Sequence, residues 1–73
     1  MCMITNYVTI QLNGEPFNCL SLMSLKDMLQ YLGIELDLVA IEYNCEIINH
    51  DGLSNIFLKT GDKVEILTVV GGG

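Results

Sequence analysis

The chain closes on LTVVGGG, and its most unusual chemical feature is a carboxylate carried on three residues without side chains, Gly71, Gly72 and Gly73. A bare strip of backbone enters channels too narrow for side chains, and glycine adopts angles that other residues resist. Glycine-rich ends also occur as plain frayed termini. Taken alone, the tail leaves both readings open.

Side-chain catalysis is poorly supplied. The single histidine, His50, stands in the turn-like NHDG, the setting of a solvated loop residue. No nucleophile-elbow motif accompanies it, so a Ser-His-Asp site is not expected. Glu42 and Glu46 flank a chain reversal and are expected to face water rather than act as an acid/base pair. The closing glycines are no phosphate loop, because no helix follows to hold the anion at its N-terminus. The cysteines, at 2, 19 and 45, are odd in number and form no CxxC pair, which argues against a disulfide framework or a zinc site. Cys19 reads as a space-filling strand residue. Cys45 reads as a turn residue, and as a sulfur-relay thiol only in an electropositive setting. The expectation is a chain that is not an enzyme on its own and binds no metal.

A length of 73 residues allows one small domain, and a hydrophobic share of 51% allows it a core. Nine acidic residues against three lysines leave a formal charge of −6. Such a chain cannot build the cationic face that displaces counterions from phosphates, so nucleic acid is excluded as a partner. An acidic surface suits a protein with a basic docking face. Apolar runs are too short to span a membrane. The opening MCMITNYVTI lacks the marks of a secretory or transit segment. The expectation is a protein working where it is made, in the cytoplasm, or in the plastid stroma if plastid-encoded; abundant Ile and Asn with few Ala hint at an AT-rich genome.

The elements that must carry the tail are legible in turn. YVTIQLNGEPF alternates, with Val8, Ile10 and Leu12 on one side, and Asn13-Gly14 supplies the positive φ angles of a tight reversal into a strand over Phe17–Leu20. Pro16 places that second strand at a sheet edge or at its own start. SLKDMLQYLG reads as a helix, with Ser24 as cap, Asp27 at the third position and Gly33 as left-handed exit. Leu25, Met28, Leu29 and Leu32 form its apolar stripe. Val39, Ile41 and Tyr43 alternate before a reversal at Asn44-Cys45. Cysteine fits poorly where positive φ favours glycine, which suggests a longer turn or another type. A loop with one helical turn over Leu53–Ile56 follows, then a turn at Gly61-Asp62, then the strand KVEILTVV.

Hairpin, crossover helix, short hairpin, loop and final strand predict an α+β, β-grasp (ubiquitin-like) domain over residues 1–70. Its mixed four- to five-stranded sheet packs on one main helix, and the final strand lies beside the first. Residues 71–73 form a flexible tail. On the final strand Leu67 and Val69 alternate against Val64, Ile66 and Thr68, so one set lies outside the core. If that set is Leu67 and Val69, they make an apolar strip leading to the tail, a docking surface to which Phe57 or Leu58 adds. Cover by neighbouring loops is the equal alternative.

LNGEPF, SLKDMLQYLGI, VAIEYNCEII and GDKVEILTVVGGG, taken in order, resemble the thiamine-biosynthesis sulfur-carrier (ThiS) family over nearly the whole chain. The departure is Cys45, where the family often places glycine. The resemblance implies that an adenylating enzyme of the ubiquitin-activating type uses ATP and Mg²⁺ to activate the Gly73 carboxylate, while the chain itself binds no cofactor. Sulfur from a cysteine desulfurase or a relay protein then gives a thiocarboxylate, which thiazole synthase uses. Gly73 is the site of chemistry in that scheme, and Gly71 and Gly72 give access. The nearest rival is the small subunit of molybdopterin synthase, which shares the tail but usually carries prolines in the last strand and ends in Gly-Gly. A ubiquitin-like modifier joined to lysine and an interaction module with an inert tail stand further off.

Overall fold

The computed structural model describes residues 7–69. Strand β1 (Tyr7–Leu12) turns into β2 (Glu15–Leu20), helix α1 (Leu25–Tyr31) crosses over, β3 (Val39–Tyr43) and β4 (Glu46–Ile48) make a second hairpin, and β5 (Lys63–Thr68) closes the order. The sheet runs β2-β1-β5-β3-β4, with β5 parallel to β1 and antiparallel to β3. The expected placement of the last strand beside the first is thus found, and β5 is the central strand. Pro16 lies on the edge strand β2, where its missing N–H costs no ladder bond.

Helix α1 has only seven residues, too few to hold alone in water. Its start is closed by a capping box: the Asp27 amide donates to Ser24 Oγ at 3.0 Å, and the Ser24 amide to Asp27 Oδ2 at 3.4 Å. Its stripe does the rest. Leu25, Met28 and Leu29 are fully buried against Ile10, Cys19, Ile41 and Val64 of the sheet, each contributing roughly 1.5–3 kcal/mol by leaving water. Leu32 packs on the margin of the same core, and Gly33 leaves the helix at φ +75.

Three boundaries differ from the sequence reading. β2 begins at Glu15, because the tight turn pairs Leu12 with Glu15 at once. β5 ends at Thr68 in the described residues. The helical turn expected over Leu53–Ile56 is a 3₁₀ segment at His50–Asn55, which drops Leu53 into the core; a second short 3₁₀ turn, Leu36–Leu38, precedes β3.

Candidate functional site

The glycines singled out by sequence, Gly71, Gly72 and Gly73, lie outside the described residues. What the structure defines is their mount. The last described residue, Val69, donates its amide to the Leu38 carbonyl at 2.9 Å, which holds the end of β5 against the chain entering β3.

Alternation along β5 settles which residues face outward. Val64 is fully buried and Ile66 packs against the core, whereas Leu67 and Val69 are 42% and 52% exposed. The apolar strip leading to the tail therefore exists, and no loop covers it among the described residues. Leu67 stands opposite Ala40 of β3. Two further candidates fall away from it. Leu58 is 2% exposed and belongs to the core, so it cannot meet a partner. Phe57 is 54% exposed but bridges Ser24 at the start of α1, and the structure does not bring it to Leu67 or Val69.

A polar clamp holds the other end of β5. Asp62, 5% exposed, accepts from the Tyr43 hydroxyl at 2.7 Å, the Lys59 amide at 2.8 Å and Asn44 Nδ2 at 3.2 Å. Asn44 in turn exchanges backbone and side-chain bonds with Lys63, its amide donating to the Lys63 carbonyl and its Oδ1 accepting from the Lys63 amide, both at 2.8 Å. Burial works to raise the Asp62 carboxyl. The bonds from Tyr43, Lys59 and Asn44, with the charge of Lys59, outweigh it and hold the group below its ordinary value. The Tyr43 hydroxyl is pushed up to about 12, first by burial and then by its bond to the Asp62 carboxylate and by that charge. The sequence reading saw Gly61-Asp62 only as a turn signal; an aspartate between a turn glycine and an alternating strand was the available sign.

The clamp also corrects the reading of Asn44-Cys45. The reversal is a two-residue turn with φ +49 and +73, so cysteine does occupy a left-handed position there. Cys45 is exposed at this end of β5, about 20 Å along the strand from Val69 at the usual rise per residue. That separation gives it no part in the mount of the tail. Cys19 is buried in β2, and its thiol is pushed up by burial and then by the Asp62 charge, as fits a space-filling role. His50 is exposed, with Nε2 3.2 Å from the Val39 carbonyl. Glu42 is half-buried and Glu46 exposed on their two strands. No group of His, Cys, Asp or Glu among the described residues is arranged to hold a metal ion, and no described helix is long and apolar enough to cross a membrane.

A sheet of this order, covered by one crossover helix and ending its central strand in a glycine tail, defines a ubiquitin-like β-grasp protein. The sequence model of the ThiS family matches residues 10–73, and the chain belongs to that family. It is 42% identical over 71 residues to the uncharacterized protein ycf40 of Porphyra purpurea, with 97% of this chain and 100% of that one covered. A different kind of relative is the thiazole synthase of Paramagnetospirillum magneticum, 36% identical over 62 residues. There the match takes in 85% of this chain and only 19% of the longer one. Among solved structures, the thiamine biosynthesis protein ThiS of Geobacter metallireducens superposes with a TM-score of 0.79 at 26% identity, covering 90% of this chain and 100% of that one.

Proposed function

We propose that the chain is a sulfur carrier for thiamine biosynthesis and that Gly73 is the atom-transferring residue. The observation that carries this reading is that the family match continues through the terminal glycines, to residue 73. The geometry agrees with it, since β5, the strand that leads to the tail, is the middle strand of the sheet.

The chemistry follows from the carboxylate's weakness as an acyl donor. In the proposed sequence an adenylating partner uses ATP and Mg²⁺; the Gly73 carboxylate attacks the α-phosphorus and pyrophosphate leaves. The terminal sulfur of a persulfide, supplied by a cysteine desulfurase or relay protein, attacks the acyl carbon and expels AMP. Reduction of the resulting acyl disulfide by a thiol leaves the thiocarboxylate that thiazole synthase consumes. This chain contributes no acid or base. It offers a narrow arm, with Gly71 and Gly72 giving access, and a face by which partners hold it, for which Leu67 and Val69 are our candidates. The compartment we propose is a cytoplasm or plastid stroma.

Intact mass of the protein purified from its own cells, with and without thiamine starvation, tests this. The expected product is a species heavier by one oxygen-to-sulfur exchange, mapped to Gly73 and enriched on starvation. Lysine-linked adducts in its place would show conjugation and end the carrier reading.

A further inference from the structure

The outer face of the sheet is divided in a way the tail does not explain. Over β2 and β1 it carries a matched polar pair, Thr9 Oγ1 donating to Asn18 Oδ1 at 2.7 Å, beside the exposed Tyr7 and Leu20. Over β5, β3 and β4 it is apolar, with Leu67 opposite Ala40 and with Ile47, 61% exposed, opposite Glu42. Into this apolar half the register sets two carboxylates side by side, Glu65 of β5 directly opposite Glu42 of β3. Like charges directly opposed across antiparallel strands disfavour the pairing, and glutamine at either place would keep the polarity without the repulsion. Lys63, two residues before Glu65, lies diagonal to Glu42 in the same register. A second copy of this chain, itself at −6, is a poor cover for such a face.

We propose that this half of the sheet seats thiazole synthase, and that the Glu42–Glu65 pair receives a cationic side chain of that enzyme, arginine above all, while Leu67, Ala40 and Ile47 take its apolar neighbours. A planar guanidinium bridges two adjacent carboxylates better than an ammonium does. The choice of occupant rests on the sulfur-carrier reading and on one further fact. Relatives named thiazole synthase carry a segment like this chain over only 19–20% of their length, so in those chains the rest of the enzyme is tethered to a domain of this kind.

The test is titration of the full chain against the thiazole synthase of the same organism at low and high salt, using wild type, the Glu42→Gln/Glu65→Gln double variant, and Leu67→Asp. The double variant is expected to keep or raise its thermal midpoint, because repulsion is relieved. It should bind at least about tenfold more weakly at low salt, with a shallower salt dependence. Binding equal to wild type with an unchanged salt slope overturns the pairing, and if Leu67→Asp still abolishes binding, the docking face alone survives. Wild-type affinity in Leu67→Asp overturns both. If the glutamines weaken only the adenylating enzyme's binding, the assignment to thiazole synthase is overturned. Failure of the carrier reading shows elsewhere, as absence of sulfur on Gly73 in the native protein.

Discussion

The two hairpins solve one problem with different residues. Both reverse in two residues at positive φ, Asn13-Gly14 at +51 and +84 and Asn44-Cys45 at +49 and +73. Both asparagines also reach across to β5: the Asn13 amide donates to the Val64 carbonyl while its Oδ1 accepts from Ile66, and Asn44 does the same with Lys63. The first turn uses glycine, which takes the left-handed region freely. The second places an L-residue there, at a cost of roughly 1–2 kcal/mol, and is held by Asp62. Both asparagines are tied to β5, so the difference lies in the second turn residue: glycine where no buried carboxylate supports the turn, cysteine where Asp62 holds the neighbouring Asn44.

Removing that carboxylate is the strongest way to break the comparison. Asp62→Ala leaves the Tyr43 hydroxyl and Asn44 amide without their acceptor and is expected to cost about 3 kcal/mol in denaturant unfolding, with the second hairpin exchanging its amide hydrogens first. Asn44→Ala comes next, at about 2 kcal/mol, and should exceed Asn13→Ala, because Asn44 holds both Asp62 and Lys63 through its side chain whereas Asn13 holds only Ile66. Equal losses would mean that the turn geometry alone matters. Cys45→Gly sharpens the comparison from the other side: it should stabilise by about 1 kcal/mol and bring the two turns to the same chemistry.

Acid and base should act on the second hairpin through Asp62 and Tyr43. Asp62 is held below its ordinary value in the fold, so its contribution is full above the unfolded carboxylate range, about 4, and is lost as pH falls through the lower folded value. Tyr43 is raised to about 12, so its contribution is full below the ordinary tyrosine value of about 10 and is lost as pH rises through 12. Asp62→Asn is expected to flatten the acid limb of a stability-versus-pH curve and leave the Asn13 turn unmoved. The smallest effect is chemical: Cys45 should alkylate in the folded protein and Cys19 only on unfolding, read by peptide mapping.

What was legible in the sequence was what is local. Ser24, Asp27 and Gly33 mark the helix because caps act within one turn, and Asn13-Gly14 marks its hairpin for the same reason. A period of two set Leu67 and Val69 against Val64 and Ile66, but that the first pair is the outward one and lies uncovered was decided by the core, which takes Val64 and Ile66. Phe57 and Leu58 lie in an irregular segment where no period decides which of two neighbours turns inward, and the choice of Leu58 was set by a core assembled from distant elements. Asn44-Cys45 looked wrong for a tight turn because its support comes from Asp62, eighteen residues on from Asn44. Glu42 and Glu65 meet only through the register of β3 with β5, which no local pattern announces.

The central position of β5 has a mechanical side. Force applied at the end of β5 would act along a strand paired with β3 from Val64 to Thr68 and with β1 at Lys63 and Val64. The load enters as shear, shared among several bonds at once, whereas an edge strand such as β2 or β4 would peel away one bond at a time. The sheet is thus a bracket for whatever load its last strand bears, and force on that strand would move the whole body before it unravelled the sheet.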